Sequence, residues 1–239
     1  MDVAPDPSAN DLLASMPPTE WQRIAPLLEV VDLPLGLVLH ESGSKMSHVY
    51  FPINAIVSLL SVMESGASAE IAVVGKEGVV GIALFMGGET TTSRAVVQSA
   101  GQGYRLRADD IKDEFNRSGP VAHLLLRYTQ ALMTQMSQTA ACNRHHSLDQ
   151  QLCRRLLLSL DRLNGNELVM TQELIANMLG VRREGVTEAA VQLQKLGMIR
   201  YARGHITVLD RDALEERVCE CYALVRKEYD RLLPDRLAD

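Results

Sequence analysis

The chain has 239 residues, 46% of them hydrophobic, and a formal net charge of -6. That is ample apolar material for packed cores, so wholesale disorder is excluded, and the length allows two domains of ordinary size. No apolar run approaches the roughly 18 residues of a membrane span, and residues 1–10 are acidic and proline-bearing, unlike a signal peptide. A cytoplasmic protein without a membrane partner is expected.

The first segment, Leu12 to Leu28, is apolar but broken by prolines at 17, 18 and 26 into short helical pieces. From Val30 to Leu106 the texture changes to short apolar runs such as Val49-Tyr50-Phe51, Ala55–Leu60, Glu70–Val74 and Arg94–Val97. Turn signals separate them at Ser42-Gly43, Ser65-Gly66, Gly75, Gly87-Gly88 and Gly101–Gly103. This spacing predicts an all-β barrel or sandwich.

After Ala108 the glycines nearly vanish, and Val121, Leu125, Tyr128, Leu132, Met136 and Thr139 recur in steps of three and four. They predict one stripe of a helix about 22 residues long, which would span about 33 Å. Such a stripe serves either as a core face against the chain's own barrel or as a coiled-coil-like dimer seam. Its persistence over about three heptads points to the seam. Asn143–Ser147 interrupts the pattern as a hinge, and Ser147 is placed to cap a following helix, Leu148 to Leu163.

From Glu167 the pattern becomes specific. A short strand, Glu167–Met170, leads to Thr171 at an N-cap position, then a helix ending at Gly180. Val181 and Arg182 carry the turn, and a second helix runs from Arg183 to Leu196. Met198–Tyr201 and Ile206–Leu209 make a hairpin around Arg203-Gly204. Helix, turn, helix and hairpin in that order form a winged helix-turn-helix. Its base-reading end would carry Arg182, Arg183, Glu184, Thr187 and Glu188, since arginine grips guanine O6 and N7 together and glutamate accepts from cytosine N4. Thr171 and Gln172 suit phosphate, and Arg203 and His205 sit at the wing tip. Gly185 would leave one groove-facing position bare.

Charge distribution agrees with a nucleic-acid partner despite the acidic total. Residues 1–119 carry 8 Lys/Arg against 15 Asp/Glu, whereas residues 144–209 carry 9 against 6.

The stretches Thr171–Ala176, Leu179-Gly180-Val181, Arg183–Thr187 and Leu196–Ile199 resemble the Crp/Fnr superfamily of transcription regulators, and the order of elements does so along the whole chain. The resemblance implies an α+β protein with an N-terminal β-roll at residues 1–119, a jelly-roll-like cyclic-nucleotide-binding fold. A dimerisation helix and hinge would follow at 120–146, and a winged helix-turn-helix with a C-terminal helix at 147–239. It further implies a homodimer on inverted-repeat double-stranded DNA, with RNA polymerase as a partner and Arg183 and Glu184 reading base edges. Glu188 stands where cyclic-AMP receptor-like members carry arginine, which puts their operator in doubt here.

In the roll, the family's nucleotide cassette compares with Gly75 to Ala95. Gly81 matches its glycine, but Ile82 replaces the ribose-binding glutamate, and Thr91 and Thr92 fall near the phosphate-binding arginine-serine pair, with Arg94 the nearest cation. Isoleucine cannot accept a hydroxyl hydrogen bond and threonine cannot neutralise a phosphate, so cyclic AMP is not expected as effector. An iron–sulfur cluster is not expected either, because no cysteine precedes Cys142. His40, His48 and His123 are available only as lone haem ligands.

The four cysteines, Cys142, Cys153, Cys219 and Cys221, read as reduced thiols. Cys142, His145, His146 and Cys153 fit no standard zinc spacing, so no metal is expected. Cys142, near the hinge, is a candidate thiol switch or an inert buried residue. Cys219 and Cys221, taken as alternate residues of one helix, should point apart. No nucleophile elbow, Walker loop or metalloprotease motif is present, so an enzyme is not expected. The competing reading is a ligand-binding regulatory module whose winged helix contacts a protein partner rather than DNA.

Overall fold

A computed structural model describes residues 5–233; the outermost residues of the first and last regions, 1–4 and 234–239, lie outside the described residues. After α1 (Asp11–Ala14) and α2 (Pro18–Ile24) come β1 (Glu29–Leu33), β2 (Val38–His40), β3 (His48–Pro52), β4 (Ile56–Val62), β5 (Ser68–Val74), β6 (Ser93–Ser99) and β7 (Gly101–Arg107). They build two antiparallel sheets, ordered β1-β7-β3 and β2-β6-β4-β5, which face one another as the expected roll. Helices α3 (Ala108–Asn116), α4 (Pro120–His145) and α5 (Leu148–Leu160) follow. The last third holds β8 (Glu167–Val169), α6 (Gln172–Leu179), α7 (Arg183–Lys195), β9 (Ile199–Ala202), β10 (His205–Val208), α8 (Arg211–Arg217) and α9 (Glu220–Leu232). No helix among the described residues is long and apolar enough to cross a membrane.

One strand-level expectation changes. Gly101 and Gly103, read as a turn, lie inside β7. A Cβ on Gly101 would stand 2.4 Å from Asn54, and one on Gly103 2.9 Å from Leu33, so these glycines let neighbouring chain pack directly on the strand. Gly75 and Gly78 serve similarly: Arg162 and the ring of Tyr128 occupy the space where their Cβ atoms would be.

The larger correction concerns α4. Val121, Leu125, Tyr128 and Leu132, expected to form a dimer seam, are fully buried within the single chain, Thr139 is nearly so, and Met136 packs against the same core. The stripe faces the chain's own roll and α9, and the Tyr128 hydroxyl donates to the Val79 carbonyl at 3.0 Å. The physical reason is that this side of α4 is the more apolar one and pays the larger penalty for exposure, so it turns inward. The outer side carries His123, Leu126, Gln130, Met133, Ser137, Ala140 and Arg144, again in steps of three and four.

The C-terminal helix divides between the two halves: Tyr222 at its start packs with the winged helix, and its later turns do not. Val225, Tyr229, Leu232 and Leu233 join the roll's core, and α9 lies along α4. A second core holds α5, α6, α7 and the wing together and also takes in Ile56 and Val73 from the roll. Two buried ion pairs cross this junction, Arg155 to Glu70 at 2.8 Å and Arg162 to Glu77 at 2.7 Å, and Gln98 also accepts from Arg155. Two of the arginines that made the last third look basic are thus internal and already compensated.

Candidate nucleic-acid interface

Local sequence chemistry builds the helix-turn-helix as expected. Thr171 has extended backbone angles and its hydroxyl accepts the Leu174 N–H at 3.1 Å, capping α6. Gly180 ends that helix in the left-handed region, at φ 66°. Arg182, at the N-cap of α7, makes no capping bond with its side chain, so the first N–H groups of α7 lack the side-chain acceptor that α6 has. The wing turns on Arg203 and Gly204, both at positive φ (52° and 82°), the geometry of a two-residue hairpin loop.

These elements converge. The start of α6, the start of α7 and the wing turn enclose an open concavity of ≈ 510 Å³. Of the expected residues, Thr171, Gln172, Arg183 and Arg203 line it; Arg182, Glu184, Glu188 and His205 are exposed but outside it. Thr187 is partly buried instead, with its hydroxyl 2.8 Å from Gln172 Oε1 and 3.0 Å from the Arg183 carbonyl. It ties the two helices together and is poorly placed as a free base contact. Gly185 is a correction too: its missing Cβ would sit 2.8 Å from Leu148 of α5, so it faces the interior and not a groove.

Two contributors were not singled out from the sequence. Tyr201 donates its hydroxyl to the Met170 carbonyl at 2.7 Å, and Gln194 accepts the Tyr201 N–H at 2.8 Å, fastening the wing to α7. Burial pushes the Tyr201 phenol up, against the opposing charge of nearby Arg183. Glu173 also reaches the concavity. Among the described residues, Arg182, Arg183, Arg200 and Arg203 are exposed and make no ion pair, whereas Arg155, Arg162, Arg211 and Arg217 all do. Cations left unpaired beside an uncapped helix start suit an anionic backbone.

The roll's candidate effector residues look different. Gly81 has φ 103° and opens only a single 3-10 turn, Ile82–Leu84, with Ile82 packed against the core. The Thr91 hydroxyl lies 3.2 Å from that of Ser93, Thr92 is exposed, and Arg94 pairs with Glu41 at 3.3 Å. The only cation of the set already has a carboxylate partner. His40, His48 and His123 lie apart on β2, β3 and α4. Cys142 is buried, and burial pushes its thiol well above the ordinary range, unlike a reactive exposed thiol.

Comparison with known proteins agrees with this architecture. Residues 30–118 match the cyclic nucleotide-binding domain, and residues 150–217 match the Crp-like helix-turn-helix domain. Comparison with curated proteins gives no match. Among solved structures, the chain is similar to a protein from Eubacterium rectale assigned to transcriptional regulators of the Crp/Fnr family, with TM-score 0.69, 19% identity, and 87% of this chain and 98% of that one covered. It is also similar to FixK2 from Bradyrhizobium japonicum (TM-score 0.67, 15% identity, 80% and 98% covered). A Crp/Fnr-family regulator from Thermus thermophilus gives TM-score 0.63 at 22% identity, with 79% and 97% covered. At these identities the structures speak for the fold alone.

Proposed function

Because the chain belongs to the Crp/Fnr superfamily of transcription regulators, we propose that it binds an inverted-repeat operator as a homodimer, reading bases through the start of α7. The observation that carries this reading is the convergence of unpaired Arg183 and Arg203 with Thr171 and Gln172 around one open concavity. Arg183 and Glu184 read base edges, and Arg182, Arg203 and His205 contact backbone. Thr187 positions Gln172.

The dimer forms along the outer face of α4, where Leu126 and Met133 are about half exposed, at 49% and 57%, on a stripe of heptad spacing. Residues 1–119 form the sensory part, 120–146 the dimer helix and hinge, and 147–239 the DNA-binding part. An effector acts through the roll or the hinge by shifting how the two DNA-binding parts are held, and RNA polymerase is the partner at the promoter. The protein acts in the cytoplasm and catalyses no reaction.

The test is selection of bound sequences from a random duplex pool, with wild type and an Arg183→Ala, Glu184→Ala variant. A palindromic consensus that the variant loses is the expected result. Salt-sensitive binding without any consensus, or a Met133→Asp variant that still dimerises and binds the full palindrome, would sink the base-reading or the α4 part respectively. No binding at all would move the winged helix to a protein partner.

A further inference from the structure

Between the two cores lies a third, small buried cluster made of cysteines: Cys142, Cys219 and Cys221, with Val218 packed against it. His146 joins them, and the four candidate ligand atoms all lie within 4.8 Å of one another. Cys142 and His146 sit one helical turn apart at the end of α4, facing the same way. Cys219 is the N-cap of α9 and has extended backbone angles, so Cys219 and Cys221 are not alternate residues of one helix and do not point apart. His145 and Cys153, which sequence spacing grouped with Cys142 and His146, are not in the cluster.

We propose that Cys142, His146, Cys219 and Cys221 form a closed site for one soft divalent cation of the zinc class, clamping the hinge end of α4 to the start of α9. Four features carry the proposal. A tetrahedral zinc with bonds of about 2.3 Å to sulfur and about 2.0–2.1 Å to nitrogen needs S···S separations near ~3.8 Å and S···N near ~3.6 Å. Here Cys142 Sγ and Cys219 Sγ are 3.5 Å apart, and Cys221 Sγ and His146 Nδ1 are 3.6 Å apart.

The second feature is the imidazole's orientation. While Nδ1 faces the thiols, Nε2 lies 3.2 Å from a Glu220 carboxylate oxygen, the outer partner that metal-bound histidines commonly have. The third is charge. Three thiolates and a neutral imidazole around a divalent ion leave the site with one net negative charge. Arg154, only 6% exposed, stands close enough for its charge to act on both Cys142 and Cys221. It has no ion pair among the described residues, and its Nε has no hydrogen-bond partner. The Glu70 carboxylate, whose charge Arg154 also feels, is paired with Arg155 at 2.8 Å, so the loaded site would supply the counter-charge that this buried guanidinium lacks at close range. The fourth is placement: the Cys142 and His146 carbonyls both accept from Gln151 of α5, at 3.4 and 2.9 Å, so the cluster sits where α4, α5 and α9 meet. On binding, the three thiols release their protons to solvent and no electron is transferred.

The test uses the full chain and does not depend on the DNA-binding reading. The reduced protein is loaded with zinc alone or with cobalt(II) alone, desalted, and its metal content and absorption spectrum are measured. The expected result is about one ion per protomer and the sulfur-to-cobalt charge-transfer and intense d–d bands of tetrahedral thiolate coordination. Cys142→Ser, Cys219→Ser and Cys221→Ser should each lose the site, while Cys153→Ser and His145→Ala keep it. Glu220→Gln, outside the ligand set, should fold normally and weaken metal affinity by about tenfold or more. Wild-type protein with all thiols free that takes up neither ion would overturn the proposal. So would a Cys142–Cys219 disulfide in the isolated protein, or undiminished loading of the three serine variants.

Discussion

The winged helix and the β-roll use their unusual residues in opposite ways. In the winged helix, the residues that depart from a plain packing pattern point outward: Arg182, Arg183 and Arg203 stand exposed, without ion pairs among the described residues. In the roll and its surroundings they point inward. Gly75 and Gly78 make room for Arg162 and Tyr128, and Glu70 and Glu77 meet arginines from the other half of the chain. A glycine-rich, charged stretch is thus a recognition surface in neither case by composition alone. What decides is whether another part of the same chain already fills the space.

The largest expected effect on this contrast comes from the inward face of α4. Leu132→Ala should destabilise the fold by about 2–5 kcal/mol in denaturant titration, because the fully buried side chain leaves a cavity. A change under half a kcal/mol there would mean this face is free after all. On the outward side, Arg183→Ala with Glu184→Ala should weaken binding to the selected operator by about 1–3 kcal/mol per lost base contact, with the melting temperature unmoved. Loss of stability in parallel would make these residues structural.

Gly78→Ala should cost about 1–3 kcal/mol, since the new methyl meets the Tyr128 ring and hydroxyl at 2.4 Å. A neutral result would show that the stretch retains spare volume. Thr171→Ala should remove about 1 kcal/mol by uncapping α6, measured by thermal melting with operator affinity read alongside.

The smallest effect is expected at Glu89, whose carboxyl is held down at about 2 by hydrogen bonds from Lys45 and Lys112, with their charges adding to the effect. A carboxyl lowered on folding stabilises above its unfolded value near 4.5, and that contribution is lost as pH falls towards about 2. Glu89 and Lys45 are solvent-facing and Lys112 is only half-buried, so Glu89→Gln should lower the melting temperature only slightly at pH 7, and the difference should disappear in acid. A gap that widened on acidification would contradict the sign.

How far the sequence could be read follows from range. Thr171, Gly180 and the Arg203-Gly204 turn were legible because their roles are local, set by backbone angles within a few residues. The α4 stripe was legible as a helix but not in direction, since inward and outward stripes share the same heptad steps. Only the roll and α9 select between them. Gly185 was misread for a related reason, because its neighbour Leu148 belongs to a different helix. The cysteine cluster joins positions 77 residues apart, and Cys219 leaves helical geometry just where the sequence continues a helical pattern.

The seat of α9 bears on how the protein is made. Val225, Tyr229, Leu232 and Leu233 complete a core whose first strands are synthesised early. On the ribosome the roll's strands can pair long before those residues emerge, but Tyr128 and the face of α4 around it remain without the helix that covers them until α9 has been made. The order in which the two cores are completed therefore runs against the order in which they are begun. The half expected to sense signals becomes complete only after the winged helix, and nascent chains halted before α9 should expose apolar surface that α9 conceals.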